Sequence, residues 1–292
     1  MSLGPGREPV AQWMDGRSAA RSILAELSVT IGELAAAAGH PLGLAMLQVG
    51  DDQASVSYMR AIARCCSAVG VGHQAVVLPA ATSPVQLAEA LDALATNSAI
   101  SGVIVQLPLP PHLRATLLAH MPPDKDIDGI HPLNAGLLAI GDAQALAPAT
   151  PLGGMELLRR YDVPLQGARA VVVGRSPVVG RPLAQLLLQA DATVTICHTR
   201  TRDLASLTRE ADILAVATGH AGTIRADMIR PGATVLDFGV NYVNGQVSGD
   251  VDPEAAAVAS RLTPVPGGTG PMTNAMLVRN LVHAARRQLE LS

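Results

Sequence analysis

Few residues in this sequence carry reactive or ligand-binding chemistry, and they are far apart. The first group lies in Val56-Ser57-Tyr58-Met59-Arg60-Ala61-Ile62-Ala63-Arg64. On a helix, positions 58 and 62 are one turn apart and project from the same face, which sets an aromatic ring beside an aliphatic chain. In an arbitrary sequence such a pair is ordinary helical core. Aromatics make up only 2% of this chain, however, so Tyr58 stands out. A second group is Gln106-Leu107-Pro108-Leu109-Pro110-Pro111, which ends the apolar run Gly102 to Leu107. Proline forbids the strand's continuation and leaves Gln106 at its carboxyl end, where by itself it is a polar residue at a loop entry. A third is Asp124-Lys125-Asp126-Ile127-Asp128-Gly129, with three carboxylates in five residues. The spacing lacks the twelve-residue register and closing Glu of a calcium loop, so capping, turn formation or ligand anchoring suits it better than a metal.

A fourth group follows an apolar strand pattern at 168–173: Gly174-Arg175-Ser176-Pro177-Val178-Val179-Gly180-Arg181-Pro182, leading into an apolar helix over 183–190. Strand, glycine turn and helix start make an anion-binding arrangement, because glycines admit a diphosphate to the backbone and a helix N-terminus favours negative charge. It is not the usual G-x-G-x-x-G fingerprint, and such a turn is weak evidence by itself. The next strand, 193–197, ends in His198-Thr199-Arg200-Thr201-Arg202, with the nearest acid at Asp203. An acidic residue there suits NAD, whereas hydroxyl and basic groups suit the extra phosphate of NADP, so Thr199 and Arg200 favour NADP over NAD. Strands at 213–217 and 234–238 end in Thr218-Gly219-His220 and Gly239-Val240-Asn241. The last group runs from Thr263 to Thr273 and includes Pro266-Gly267-Gly268 and Gly270-Pro271-Met272, dense in residues that rigidify a backbone while leaving its N–H groups open.

The elements needed to position these groups are legible. Residues 11–38 carry a helical pattern with Asp15-Gly16 as a turn, 41–49 an apolar strand, and Ser55 or Ser57 a cap for the helix bearing Tyr58. A strand at 73–78, a helix at 83–97 capped by Ser83 and a strand at 102–107 complete the rhythm of a parallel sheet with covering helices. Helices are also expected at 155–161 and 274–289. At 292 residues, 49% of them hydrophobic, the chain has material for two domains. A net charge of −3 gives no footprint for nucleic acid. The first residues lack the apolar core of a signal peptide, and no 18-residue apolar run offers a membrane span, which points to the cytoplasm. Cys65, Cys66 and Cys197 fit neither a disulfide framework nor zinc spacing and read as reduced thiols. A single lysine, Lys125, stands among 21 cationic side chains.

In order, Val49-Gly50-Asp51-Asp52, Val105 to Pro110, Lys125 to Gly129, Gly174-Arg175-Ser176 with Val179-Gly180-Arg181-Pro182, Gly249-Asp250-Val251-Asp252, and Pro264 to Gly268 with Gly270 to Thr273 resemble the bifunctional methylenetetrahydrofolate dehydrogenase/methenyltetrahydrofolate cyclohydrolase family over essentially the whole chain. The resemblance implies an α/β protein of two lobes around a cleft. A parallel-sheet folate-binding lobe would comprise 1–148 and 274–292, and a Rossmann-like NAD(P)-binding lobe 149–273. It implies a homodimer. It implies that Tyr58 stacks on the folate, Gln106 orients a catalytic lysine and Asp128 grips the pterin. Leu107, Pro108, Pro266, Gly267, Gly268, Pro271 and Thr273 would line the substrate site. Gly174, Arg175, Ser176, Val179, Gly180, Thr199, Arg200, Thr218, Gly219 and Asn241 would hold NADP.

The departures are Gln53 for a proline, Ala149 for a cysteine, Thr269 for a valine and, four residues after the tyrosine, Ile62 for the family's lysine. Only the last removes a reactive group. Oxidising the N5–CH2–N10 bridge sends a hydride to the nicotinamide and leaves an amidinium cation without moving a proton. Hydrolysing that cation needs proton shuttling, to which a positioned acid/base contributes about 10²–10⁴-fold. Isoleucine can neither donate nor accept, and Arg60 and Arg64 stay protonated and project elsewhere. Gln106 then needs a new partner from water or ligand. Three functions are compatible with this pattern: a dehydrogenase with weak or no cyclohydrolase activity, a paralogue that passes the one-carbon unit to an amine, and a non-catalytic folate-binding protein.

Overall fold

The computed structural model describes residues 11–243 and 245–290. In chain order the elements are β1 (Gln12–Trp13), α1 (Gly16–Ala38), β2 (Gly43–Val49), α2 (Gln53–Ala68), β3 (Gly72–Leu78), α3 (Pro84–Thr96), β4 (Gly102–Val105), α4 (Arg114–His120) and α5 (Pro132–Ala139). There follow α6 (Ala149–Arg160), β5 (Arg169–Val173), α7 (Gly180–Gln189), β6 (Thr193–Cys197), α8 (Leu204–Thr208), β7 (Ile213–Val216), β8 (Thr234–Asp237), β9 (Asn241–Val243), β10 (Gln246–Ser248), β11 (Arg261–Leu262) and α9 (Thr269–Gln288). They form two compact units, one of residues 11–20 with Thr150–Thr273 and one of Arg21–Ala149 with 274–290.

The smaller sheet has the order β3-β2-β4, all parallel. Its central strand is buried along almost its whole length, as a parallel strand covered on both faces must be. Side-chain alternation assigns the faces. Ala45, Leu47, Val103 and Val105 point one way and pack with Leu87, Leu91 and Leu94 of α3 and Leu113 and Leu117. The residues of opposite parity, among them Met46, Gln48 and Ile104, point the other way. The buried stripe of α2, which packs on β2 and β3, is Ser55, Met59, Ile62 and Cys66. The last helix rejoins this unit through Asn280, whose Nδ2 donates to the carbonyls of Ile127 (2.8 Å) and Ala147 (2.9 Å).

The larger sheet is parallel throughout, in the order β1-β11-β8-β7-β5-β6. β5 sits where the strand order reverses, with β6 on one side and β7 on the other. In open α/β sheets this is where ligands bind.

Several expectations shift by a few residues, for local reasons. The helical pattern expected from residue 11 starts only at Gly16, because the Gln12 and Met14 N–H groups donate to the carbonyls of Ser260 (2.8 Å) and Leu262 (2.9 Å) as an edge strand. That pairing puts residues 11–20 with the larger sheet, not with the lobe assigned to 1–148. Asp52, rather than Ser55 or Ser57, caps α2, its carboxylate accepting from the Ser55 N–H at 2.7 Å. Ser83 caps α3 as expected, in a reciprocal box with Gln86. α6, α7 and α9 begin at Ala149, Gly180 and Thr269, earlier than their apolar periodicity suggests.

Lys125 is 6% exposed, and its Nζ donates to the carbonyls of Leu94 (3.2 Å), Ala95 (2.8 Å) and Asn97 (2.9 Å) at the end of α3. Burial pushes its ammonium below the usual lysine range. Its donors are spent on helix carbonyls that have no intrahelical partner. Lys125→Met should therefore lower stability by about 1–3 kcal/mol, read as a lower urea midpoint.

Candidate active site

In the unit built on the three-stranded sheet, Tyr58 and Ile62 do not share one environment. Ile62 is fully buried in the stripe with Met59 and Cys66, whereas Tyr58 lies at the stripe's border and is 36% exposed. Burial of the phenol, with the charge of Asp128 added, raises its pKa well above the usual tyrosine range, so it stays neutral. Asp128 is half-buried, and desolvation followed by the Asp126 charge pushes its carboxyl up to about 7. Asp126 itself is fully buried and serves the loop, accepting from the N–H groups of Ile130 (3.2 Å) and His131 (2.8 Å) and from Asn134 Nδ2 (2.9 Å). Leu107, which begins the cis Leu107–Pro108 bond, is 48% exposed just past the end of β4.

Gln106 is 6% exposed, and its backbone N–H donates to the Leu47 carbonyl at 2.8 Å. Its side-chain Nε2 is buried with no partner among the described residues. The register pairs Leu47 with Val105, so Gln48 lies beside Gln106 on the same face. Gln48 is 2% exposed and donates from Nε2 to the Asp52 carbonyl at 3.3 Å, while its Oε1 is buried without a partner. A buried polar group left unpaired costs about 1–3 kcal/mol. Sequence reasoning passed over Gln48, although a glutamine near the end of the apolar run Leu42 to Val49 was a visible signal.

In the unit built on the six-stranded sheet, Gly174, Arg175, Ser176, His198, Thr199 and Thr218 are among the residues lining a cavity of about 360 Å³ past the ends of β5, β6 and β7. Gly174 adopts φ +129°, and a Cβ there would meet the Ala217 carbonyl oxygen at 2.2 Å; one on Gly180 would meet the Gly174 carbonyl oxygen at 2.1 Å. These glycines therefore let backbone pack on backbone at the start of α7. The Ser176 hydroxyl oxygen accepts from the N–H groups of Val179 (3.1 Å) and Gly180 (3.4 Å). Arg175, Arg200 and Arg202 are exposed, and their guanidinium groups pair with no described residue. Val179, Gly180, Arg200, Gly219 and Asn241 do not line this cavity.

Two buried aspartates organise the neighbouring loops. Asp250 accepts from the N–H groups of Thr218 (2.6 Å) and Gly219 (2.9 Å) and from Asn241 Nδ2 (2.9 Å). Asp237 accepts from the N–H groups of Gly239 (2.8 Å), Asp250 (3.0 Å) and Val251 (3.0 Å); burial pushes its carboxyl up to about 6 against those bonds. The Asn241 amide is thus engaged within the protein. The Thr269 hydroxyl donates to the Asp237 carbonyl (2.9 Å), and the hydroxyls of Thr273 and Thr150 lie 3.1 Å apart. Pro266, Gly267, Gly268, Pro271 and Thr273 all fall in the unit of the six-stranded sheet, with Pro266 after a cis bond. Among the described residues no group of three or more His, Cys, Asp or Glu side chains is placed to hold a metal.

Comparison with known proteins accounts for both units. Residues 14–128 match the catalytic domain of tetrahydrofolate dehydrogenase/cyclohydrolase, and residues 148–289 match its NAD(P)-binding domain. The bifunctional protein FolD of Chloroflexus aurantiacus is 51% identical, over 96% of this chain and 99% of that one. The crystal structure of the bifunctional enzyme FolD, methylenetetrahydrofolate dehydrogenase/cyclohydrolase, from Campylobacter jejuni superposes with a TM-score of 0.92 at 39% identity, covering 95% of this chain and 99% of that one. The methylenetetrahydrofolate dehydrogenase-cyclohydrolase of Trypanosoma brucei, solved with NADP cofactor and inhibitor, gives a TM-score of 0.88 at 36% identity, covering 95% and 98%. The two matches together span both units, the relatives align over nearly their whole length, and the chain belongs to the tetrahydrofolate dehydrogenase/cyclohydrolase family.

Proposed function

We propose that the protein oxidises 5,10-methylenetetrahydrofolate to 5,10-methenyltetrahydrofolate with NADP, and that its hydrolysis of the methenyl product is weak or absent. The observation that carries the second half is Ile62, an aliphatic side chain fully buried where the family resemblance implies a lysine. The family match and the activities for which the relatives are named support the first half.

The cavity past β5, β6 and β7 fits a dinucleotide: it lies at the reversal of strand order, beside the start of α7, with unpaired arginines nearby. Gly174, Arg175, Ser176, Val179 and Gly180 would hold the diphosphate, Thr199 and Arg200 the additional phosphate, and Thr218, Gly219 and Asn241 the nicotinamide side. When bound, NADP supplies the hydride acceptor. Tyr58, neutral and partly exposed, offers its ring for stacking, and Asp128 offers a carboxylate to the pteridine. Gln106, Leu107 and Pro108 would complete the substrate contacts of the unit that carries Tyr58 and Asp128. Oxidation asks these groups only to orient the substrate, because no proton moves. Hydrolysis asks for a proton shuttle, and neither Ile62 nor the capped Lys125 can serve. The protein would work as a homodimer in the cytoplasm; among the described residues no helix is long and apolar enough to cross a membrane.

Methenyl product should accumulate during turnover, and Ile62→Lys should raise its hydrolysis by about 10²–10⁴-fold with the dehydrogenase rate retained. Rapid hydrolysis of supplied methenyltetrahydrofolate by the unaltered protein would sink the proposal. Asp128 predicts a second effect. With its carboxyl at about 7, the carboxylate is the minor form at pH 6 and the major form at pH 8. Substrate KM should therefore fall roughly tenfold as pH rises through that window. Asp128→Asn should raise KM and flatten the profile; an unchanged pH dependence would remove Asp128 from the binding site.

A further inference from the structure

Gln48 and Gln106 sit side by side on hydrogen-bonded parallel strands, both more than nine-tenths buried. One presents a free acceptor, Oε1, and the other a free donor, Nε2, and neither atom has a partner among the described residues. Two carboxamides a strand's width apart can satisfy each other, and neighbouring strands are only about 4.8 Å apart. Here they do not. Buried polar groups are nearly always paired, so a complementary donor and acceptor left unpaired side by side have the character of a receptor for a third group. That group must donate to Gln48 and accept from Gln106. Ile62, one of the fully buried side chains of the helix packed on this sheet, brings neither a charge nor a hydrogen-bonding group of its own.

We infer that Gln48 is a substrate-positioning residue: with Gln106 it holds a neutral ring edge that carries an N–H donor beside a carbonyl or ring-nitrogen acceptor, as a reduced pteridine does. The inference rests on the folate reading above. It gives the two ends of Gln48 separate tasks. Nε2 ties the strand end to the Asp52 carbonyl at 3.3 Å, which serves the fold, while Oε1 serves the ligand.

That division sets the test. Gln48→Glu keeps an acceptor facing the ligand, whereas Gln48→Met keeps only the volume. Equilibrium binding of tetrahydrofolate, followed by protein fluorescence or calorimetry, should weaken tenfold or more in the Met variant and stay within about threefold in the Glu variant. KM for methylenetetrahydrofolate should follow the same order with kcat little changed, and the Kd for NADP should not move. Combining Gln48→Met with Gln106→Met should cost less than the two losses added, because both atoms grip one group. If Gln48→Met does not fold, Gln48→Asn, which keeps the carboxamide one methylene short, takes its place and should weaken binding likewise. Equal weakening by Glu and Met in step with a lowered Tm would show a purely structural glutamine and overturn the inference. Unchanged tetrahydrofolate binding in both would overturn it too, leaving a water between the carboxamides. If the unaltered protein reduces NADP with methylenetetrahydrofolate while these variants match it, only the role of Gln48 falls. If the unaltered protein binds no tetrahydrofolate, the functional reading falls with it.

Discussion

Parallel strands must be joined by crossovers, so all their carboxyl ends face one way, and this constraint locates most of the chemistry in the protein. Gln48 and Gln106 stand at or just past the ends of β2 and β4, and Gly174, His198 and Thr218 just past the ends of β5, β6 and β7. None of these residues is near another in sequence. Each sheet gathers its own set because its strands end on one side, several of them at a proline or a glycine. What remains is a row of loops with backbone groups to satisfy.

Asp237 and Asp250 satisfy many of them in the unit of the six-stranded sheet. Asp237 collects N–H groups from the segments after β8 and β10, Asp250 collects those of the loop after β7 together with the Asn241 side chain, and each lies against a glycine of the other's segment. A Cβ on Gly239 would meet Asp250 Oδ1 at 2.3 Å, and one on Gly249 would meet Asp237 Oδ2 at 1.9 Å. The glycines are therefore conditions for the two acids to approach the backbone. Burial raises Asp237 even though three N–H donors favour its charged form, so desolvation outweighs those hydrogen bonds. The loop carrying Thr218 and Gly219 is only as well placed as that pair of carboxylates.

How much of this was legible in the sequence follows the range of the interactions. The parallel α/β character, the cap at Ser83 and the strand over 193–197 come from local periodicity and turn chemistry, and the sequence shows them within a few residues. The edge strand Gln12–Trp13 was missed because two residues have no period, and their pairing with Arg261 and Leu262 is a long-range matter. Ile62 illustrates both sides. Its place relative to Tyr58 is where the resemblance implies a lysine, while its complete burial, unlike Tyr58 four residues before it, depends on the sheet beneath the helix. Asn241 was expected to face a cofactor; that its Nδ2 also donates to Asp250 is a long-range bond no spacing rule could reveal. Gln48 went unnoticed because one polar residue in an apolar strand gains meaning only from the neighbour that pairing provides.

The burial of Lys125 has a consequence for how the protein meets other chemistry. With its one lysine enclosed at 6% exposure against the last carbonyls of α3, the described surface displays its positive charge through arginines alone. Guanidinium keeps its proton at any physiological pH and is a far poorer nucleophile than an amine. Acylating agents, amine-directed cross-linkers and enzymes that modify lysine side chains therefore meet a surface with no side-chain amine to attack, while carboxylates and phosphates still meet the arginine charge they recognise.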